Sequence, residues 1–537
     1  MTTAAEVCSW LRQVAPQSRE LRLDSRFVER GDVFVAVPGA RADGRDYLAT
    51  AAGRGAAAAI VEATGWAGSP TPLSLPVLPC DGLGRLLGEV ADRYYGRPSE
   101  RLLVVGVTGT NGKTSTTFWI ARMLSAIGRR CAVVGTLGAG FPDEPLDRTG
   151  LTTPDAASLH RVLRHLLDAG AAAVAMEVSS IGIDQGRVDG VAFDVAMFTN
   201  LSRDHLDYHG SMAAYRDAKA RLFATPTLSS AVFNLDDAEG PALAAAALRR
   251  GLQVVGYGVA TLDALRARIG ADAAPGRAGR ISLLAASDVQ AASASMRFAL
   301  VWSGAAWSGA ASGSSPQAAT VTTPLIGSFN VSNLLGVIGA ALCCGVPLET
   351  AVAQCAALQA PAGRMQRVAG RDAANDESTG EPLVIVDYAH SPDAIEKAIV
   401  ALRPLARARA GRLWIVFGAG GDRDAGKRAP MGEVATRLAD HVVLTSDNPR
   451  SEDPHAIIEQ IARGADAARP PARIADRAEA IRHAILQAAA ADVVLLAGKG
   501  HETVQEIGGR RLPFDDADRA REALAARAAM PTPRGAP

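Results

Sequence analysis

Residues 101–124 read RLLVVGVTGTNGKTSTTFWIARML. An apolar run, a glycine-broken cluster and then apolar residues at helical spacing make a strand, a loop and a helix. The loop GVTGTNGKTS runs from Gly106 to Ser115. Backbone N–H groups of a glycine loop at a helix N-terminus bind phosphate oxygens. The residues in position to do so are Gly109, Thr110, Asn111, Gly112, Lys113, Thr114 and Ser115. The Lys113 amine would reach the β- and γ-phosphates, and the Thr114 hydroxyl would hold Mg2+. The strict P-loop spacing puts four residues between its first glycine and GK. Here five separate Gly106 from Gly112, and Gly109 lies among them. Taken alone, the loop says that a nucleoside triphosphate binds.

The rhythm continues outward. CAVVGTLG, LHRVLRHLLDAG, AAVAMEVSS and FDVAMFTNL alternate strand and helix patterns, which predicts a mostly parallel sheet covered by helices. Upstream, residues 1–98 mix short strand-like runs (DVFVAV, AAAAIVEA) with Gly/Pro turns, as a smaller α/β domain would. Residues 99–360 form the central ATP-binding domain, with a weakly patterned Ala/Gly/Ser-rich excursion over about 261–320, read as an edge hairpin with a mobile loop. After the polar loop RDAANDESTGEP (371–382) the alternation restarts with LVIVDYAH, RLWIVFGAGG, HVVLTSDNP and DVVLLAGKGHE, giving a second α/β domain over 361–530. PTPRGAP, 531–537, reads as a disordered tail. The expected fold is therefore α/β, in three domains.

Composition narrows the function classes. With 56 basic and 56 acidic residues the formal charge is zero, which argues against a protein that coats nucleic acid. No apolar run reaches the roughly 18 residues that would span a bilayer. The start, MTTAAEVCSWLRQVAPQ, lacks the basic-then-apolar order of a signal peptide. Six cysteines (Cys8, Cys80, Cys131, Cys343, Cys344 and Cys355) form no CxxC pair and read as thiols in a reducing, cytoplasmic setting. Only five of the basic residues are lysines: Lys113, Lys219, Lys397, Lys427 and Lys499. Arginine is thus accepted almost wherever a positive charge is wanted. The remaining amines invite a role that a guanidinium cannot fill, as a compact charge between phosphates or a group open to covalent modification. Lys397, in the helical PDAIEKAIVAL, reads as an ordinary surface lysine, whereas the other four lie in unusual or glycine-rich motifs.

A second cluster goes beyond what a simple nucleotide switch needs. Glu177 ends the strand AAVAMEV, next to Ser179 and Ser180. A carboxylate at a strand's C-terminal end beside a phosphate loop is well placed to hold a metal ion. TNLSRDHLDYHG, 199–210, packs two histidines and two acids into a short loop, and His205 can ligate a metal through a neutral ring nitrogen. Lys219 follows in YRDAKARLF.

GTNGKTS, TTP (152–154), EVSS with a following Q.R, TNLSRDHLDYHGS..AY..AK..LF, DYAHSPDA, FGAGGDRD.GKR..MG, SDNPR and AGKGHE, in this order over nearly the whole chain, resemble the Mur ligases of peptidoglycan synthesis. The N-terminal LRLDSR and GDVFVAVPGARADGRDY resemble the UDP-binding domain of the branch that adds 2,6-diaminopimelate. That resemblance implies three domains around a cleft: an N-terminal UDP-binding domain, a central P-loop ATPase and a C-terminal Rossmann-like domain that brings the amino acid. It implies an ATP-dependent, ADP-forming amide ligase that joins meso-diaminopimelate to UDP-N-acetylmuramoyl-L-alanyl-D-glutamate through an acyl phosphate. Cell wall biogenesis, cell shape and cell division would depend on it. Carried over motif by motif, Leu23 and Ser25 would meet the uridine nucleotide, and Thr152, Thr153, Ser179, Gln185 and Arg187 the muramoyl dipeptide. Asn330, Arg364 and Asp387 match nucleotide-binding positions. Glu177, His205 and Thr114 match metal-holding positions, and Lys219 matches the family's carbamylated lysine. A primary amine captures CO2 when uncharged, and a guanidinium is never appreciably deprotonated. The carbamate would give oxygen ligands to a second Mg2+. Lys113, Lys219, His205 and Glu177 would thus carry the catalysis.

Diaminopimelate differs from lysine by a carboxylate at the far end, so a selective pocket needs a cation, best a guanidinium making two parallel hydrogen bonds. Asp447, Asn448, Pro449 and Arg450 match the DNPR motif of the diaminopimelate-adding enzymes, with Asp447 toward the distal ammonium. Arg423, Gly498 and Glu502 match the rest of that pocket. The expected partners are ATP, the UDP-muramoyl dipeptide and meso-diaminopimelate, with CO2 for the carbamate, and with no nucleic acid or membrane insertion; a monomer is expected. Three alternatives stay open: a lysine-adding Mur ligase, a folylpolyglutamate synthetase-like ligase (which lacks the LDSR…GDVFVAV domain) and a nucleotide-binding regulator without ligase activity.

Overall fold

In the computed structural model, which describes residues 2–39, 42–68, 72–270, 280–291, 295–304, 316–369 and 380–529, the run LVVGVT becomes the strand Leu103–Thr108. It lies between the parallel strands Ala173–Glu177 and Val195–Phe198 in a ten-stranded sheet. A strand with neighbours on both edges and helices on both faces has no polar side to show, which is why its sequence is continuously apolar. Val105 and Val107 pack with Trp119, Ile120 and Met123 of the helix Lys113–Ala126. Val104, pointing the other way, packs with Leu159 and Leu163 of the helix Ala156–Asp168. Further parallel pairing adds Cys131–Gly135 on one side, and Ser230–Asn234, Gln253–Gly258 and Ile281–Ala291 on the other.

The excursion expected over 261–320 is more ordered than its weak patterning suggests. It opens with the helix Leu262–Ile269 and closes the sheet with the antiparallel strands Ile281–Ala291, Met296–Ser303 and Gln317–Thr323. In MRFALVWS every second side chain is buried, the period of a half-buried edge. The mobile loop expected inside SGAAWSGAASGSSPQAAT, most of the 371–382 loop and the 531–537 tail lie outside the described residues.

The N-terminal sheet has four parallel strands in chain order, Leu21–Arg22, Val33–Ala36, Ala58–Glu62 and Val77–Cys80. Val33 and Val35 face the helices Ala4–Val14 and Leu83–Tyr94, while Phe34 and Ala36 face the short helix Leu48–Gly53. The C-terminal sheet runs Gln366–Val368, Leu383–Asp387, Val493–Ala497, Leu413–Phe417, His441–Leu444 and Ala472–Arg473, all parallel except the first. The molecule is thus α/β, built on three main sheets, as expected. No helix among the described residues is long and apolar enough to cross a membrane.

A fully buried ion pair ties the C-terminal unit together. Arg477 donates from Nε and Nη2 to the two oxygens of Asp516, each at 2.7 Å, and from Nη2 to the Ala497 carbonyl at 2.9 Å. Removing one partner of such a pair leaves an uncompensated charge in the interior. Asp516→Ala is therefore expected to destabilise the C-terminal unit by about 3–5 kcal/mol. Urea unfolding followed by tryptophan fluorescence checks this, and an unchanged midpoint would refute it.

Candidate functional site

Strand register explains how the site assembles. Val107 pairs with Glu177, and Thr108 pairs with Phe198, so the three parallel strands end together and deliver their loops to one spot. Ligands bind at such carboxyl ends, where neighbouring strands send their connections apart. The glycine loop is held there by the loop after Phe198. Asn200 accepts from Asn111 N through Oδ1 (2.9 Å), and its carbonyl accepts from Thr110 N (2.8 Å). Thr199 Oγ1 donates to the Asn111 carbonyl at 2.7 Å. A Cβ on Gly109 would fall 1.9 Å from Thr199 Oγ1, and both Gly109 (φ 148°) and Gly112 (φ 87°) sit at positive φ. These two positions therefore require glycine. With the N–H groups of Thr110 and Asn111 engaged by Asn200, the donors offered to an anion include those of the first helical turn from Lys113, which a helix leaves without intrahelical partners. The Lys113 amine folds over the loop, donating to the carbonyls of Gly109 and Thr110, each at 2.8 Å.

Glu177 and Thr114 are in direct contact. Thr114 Oγ1 donates to Glu177 Oε1 at 2.9 Å, and Thr136 donates to the same carboxylate from N (2.8 Å) and Oγ1 (3.1 Å). Thr136 Oγ1 is also 3.0 Å from Thr152 Oγ1, so a hydrogen-bonded chain runs from the TTP loop through Thr136 and the Glu177 carboxylate to Thr114 of the phosphate loop. His205 lines the cleft with a half-exposed ring 3.4 Å from Asp204, and no hydrogen bond joins it to Glu177 or Lys219 among the described residues. Partial burial holds its pKa below the ordinary histidine value, against the pull of Asp204, which favours the neutral ring that ligates metals.

Lys219 is the most unusual group in the site. Only 2% of it is exposed. Its amine donates to the Gly109 carbonyl at 2.9 Å and stands 4.3 Å from the centre of the Tyr215 ring. Among the described residues no carboxylate pairs with it. Burial, and then the positive charge of Lys113, push its pKa well below the ordinary lysine value. The amine is therefore biased toward its neutral, nucleophilic form.

Of the residues expected at the dipeptide, Thr152 lines the cleft. Thr153 has no exposed surface; its hydroxyl donates to the Glu177 carbonyl and accepts from Ser179 N, both at 3.0 Å, so it braces the wall from behind. Arg187 holds the Thr153 carbonyl (2.8 Å) and Gln185 Oε1 (2.6 Å). Ser25 is buried beside Asp24, while Leu23 faces the cleft. Of the nucleotide set, Arg364 spans from the C-terminal unit to donate to Thr114 Oγ1 at 3.3 Å and lies 4.5 Å over the Tyr388 ring. Asp387 accepts from the backbone of Met365 (2.8 Å) and Ala389 (2.9 Å), which fixes the turn after its strand, and burial raises its carboxyl pKa. Asn330 is buried and donates to the Ile326 carbonyl at 2.7 Å. Asn333, one helical turn on, is the side chain that abuts the phosphate loop: a Cβ on Gly112 would lie 2.6 Å from its Oδ1.

The amino-acid group comes from three loops at the carboxyl edge of the C-terminal sheet. Asn448 donates to Glu502 Oε2 at 2.7 Å, and Arg450 Nη1 donates to the Gly421 carbonyl at 2.6 Å. Arg423 stands exposed at the rim. Asp447, 7% exposed, presses on Gly498, where a Cβ would come 2.5 Å from Oδ2. Pro449 turns the chain between Asn448 and Arg450. Lys499 is fully buried and donates to Asn448 Oδ1 (3.1 Å), Glu502 Oε2 (3.1 Å) and the Val504 carbonyl (2.7 Å), so this amine organises the pocket from within. Lys427 caps the His390 carbonyl at 2.9 Å, and Lys397 makes an exposed i,i+4 pair with Asp393.

A cleft of about 1540 Å³ is lined by Leu23 from the N-terminal unit, Thr152 and His205 from the central one, and Arg423, Asn448, Arg450 and Glu502 from the C-terminal one; the phosphate loop, Glu177 and Lys219 are not among its lining residues. Not singled out by the sequence were Thr136, Asn200, Asn333, Tyr215 and Tyr388. Asn333 shares a helix face with Asn330 at i,i+3, a signal that was there to use. Thr136 sits in a featureless TLG turn and gave none. Among the described residues no three His, Cys, Asp or Glu side chains gather as a ready metal cage. One hydroxyl and one carboxylate beside a phosphate loop do suit Mg2+, which keeps waters and substrate phosphates as its other ligands.

Family models match along the chain in order: the Mur ligase family, catalytic domain, over residues 19–95; the Mur ligase middle domain over 107–341; and the Mur ligase, glutamate ligase domain over 363–500. The chain is 50% identical over 528 residues to the UDP-N-acetylmuramoyl-L-alanyl-D-glutamate–2,6-diaminopimelate ligase of Ralstonia nicotianae, covering 97% of this chain and 96% of that one. To the protein of the same name from Pseudomonas aeruginosa it is 47% identical over 523 residues, covering 96% and 98%. A solved structure of such a ligase superposes with a TM-score of 0.61 at 36% identity, covering 96% of each chain.

Proposed function

The chain belongs to the Mur ligase family, and from that premise we propose that it adds meso-2,6-diaminopimelate to UDP-N-acetylmuramoyl-L-alanyl-D-glutamate with cleavage of ATP to ADP, in peptidoglycan precursor synthesis. The observation that carries this reading is a cleft lined at once by Arg450, Asn448 and Glu502 and by Thr152 and His205. We assign residues 1–98 to the UDP-muramoyl substrate, 99–360 to ATP and 361–530 to the incoming amino acid.

A carboxylate is a poor acylating agent because oxide would have to leave. Attack of the D-glutamyl carboxylate on the γ-phosphorus of ATP expels ADP and gives an acyl phosphate. The amine of diaminopimelate then attacks the acyl carbon, phosphate leaves with the bonding pair, and the nitrogen sheds a proton. The chain's part is positioning and charge. The Lys113 amine turns from its own loop carbonyls toward the phosphates. Glu177 and Thr114 would hold Mg2+, and a carbamate on Lys219, with His205, would hold a second. Bound there, Mg2+ screens the anionic reactants and stabilises the transferring phosphoryl group. Arg364, which already bridges the central and C-terminal units at Thr114, couples nucleotide binding to the approach of the amino-acid domain. Closure excludes the water that would hydrolyse the acyl phosphate.

The test is phosphate release and product analysis with ATP, Mg2+ and the UDP-muramoyl dipeptide, with meso-diaminopimelate or L-lysine in parallel. Tripeptide product with diaminopimelate alone is expected. Turnover with lysine instead would keep the ligase and overturn the pocket assignment. No turnover with either, in folded protein that binds ATP, would favour a folate-type ligase or a regulator.

A further inference from the structure

We propose that Arg428 and Glu452 are a positioning pair that aims the Arg450 guanidinium, and that amino-acid selectivity depends on it; this rests on Arg450 being the group that meets the distal carboxylate. Arg428 begins the helix Arg428–Leu438 and is 1% exposed. Its Nη1 donates to Glu452 Oε2 at 2.8 Å and its Nη2 to Glu452 Oε1 at 2.9 Å, a two-pronged fork that a lysine cannot make. The same guanidinium holds Gln460 Oε1 at 2.7 Å and the Gly420 carbonyl at 3.0 Å. Glu452 Oε1 in turn accepts from Asp422 N at 2.6 Å. Two loops and a helix thus converge on one buried cation.

Those loops carry the pocket. Arg450 Nη1 rests on the Gly421 carbonyl at 2.6 Å, and Gly421 N donates to the Asn448 carbonyl at 2.9 Å. They are packed so closely that a Cβ on Gly421 would fall 1.9 Å from the Pro449 carbonyl. Asp422 (φ 54°) and Arg450 (φ 52°) both occupy the left-handed region. Non-glycine residues persist there only when their surroundings over-determine them. The Arg428–Glu452 fork constrains the Asp422 side of this contact from behind, while Arg450 itself is held by the Glu506 carbonyl (3.0 Å from its N) and carboxylate (3.3 Å from its Nε) and by Gly508 N (2.7 Å from its carbonyl). Neither residue lines the cleft, so neither touches the amino acid; they act through Arg450.

Glu452→Gln keeps the shape, removes the charge and turns one acceptor into a donor facing Arg428. The KM for meso-diaminopimelate is expected to rise about tenfold or more, and its kcat/KM advantage over L-lysine to fall by a similar factor, while the KM values for ATP and the UDP-muramoyl dipeptide stay within about twofold. Glu452→Asp, which restores the charge, should recover part of that advantage. A diaminopimelate-to-lysine ratio at the wild-type value in both variants would overturn the inference, even if kcat or thermal stability fell. The unaltered protein is assayed alongside: if it does not use meso-diaminopimelate, the reading of the pocket fails first, and separately.

Discussion

Lys219→Arg should fold, bind ATP and fail to ligate, with kcat lower by roughly 10²–10³-fold or more, the cost of losing a preorganised group at the transferring phosphoryl. The chain otherwise favours arginine over lysine by 51 to five, so the exchange is one it makes freely elsewhere. At this position the physics differs. The amine is buried, bonds to the Gly109 carbonyl over the Tyr215 ring with no carboxylate paired to it among the described residues, and is pushed toward neutrality by burial and by Lys113. A neutral amine adds to CO2, forming an N–C bond and releasing a proton, and so becomes an anion where the unmodified residue is a cation. That inversion makes the position a ligand for Mg2+ rather than its competitor. Arginine remains a cation and repels the metal. Lys219→Met separates the two effects, since it lacks both the carbamate and the positive charge, and it should fail equally. Spectroscopy with isotopically labelled bicarbonate should show a carbamate signal in the unaltered protein and none in either variant. Ligation by Lys219→Arg at the wild-type rate would end the carbamate argument.

How much of this was legible in the sequence depends on the range of the interaction. The strand–loop–helix at 101–124 is local, and its periodicity places the central strand correctly. The neighbours of that strand are not local. That Ala173–Glu177 and Val195–Phe198 flank it is settled by sheet order, and this alone turns Glu177 and Asn200 into parts of one site. Residues inside distinctive motifs, such as Asp447 to Arg450, were therefore readable, whereas Thr136, which bridges Thr152 and Glu177 from an undistinguished turn, was not. The lysine count separated the amines by setting: Lys499 has no exposed surface and three acceptors, whereas Lys397 makes an exposed pair. The edge hairpin expected in the excursion is present as Met296–Ser303 and Gln317–Thr323, whereas the helix Leu262–Ile269 and the strand Ile281–Ala291 before it were hidden by a composition dominated by small residues.

Arg450→Ala is expected to lower kcat/KM for meso-diaminopimelate by roughly 10²–10³-fold, the effect of truncating one partner of a hydrogen-bonded charge pair at a binding site. ATP binding should be unchanged, because among the described residues Gly109, Lys113 and Asn200 bond to one another's loops and not to the SDNPR segment, and no phosphate-loop residue lines the cleft beside Arg450. Backbone strain does not confuse the comparison. Position 450 has φ 52°, and arginine and alanine both carry the Cβ that makes this region unfavourable. What alanine removes is the guanidinium, held on the Gly421 carbonyl at 2.6 Å and beside Glu506 at 3.3 Å. Arg450→Lys should fall between the two, since it keeps a charge near the carboxylate but loses the fork. L-Lysine offers no distal carboxylate, so its poor turnover should change little. The preference for diaminopimelate should therefore collapse because its own rate falls toward that of lysine. A variant that loses activity yet keeps its preference would place selectivity elsewhere, with Arg423, exposed on the same rim, the next cation to remove.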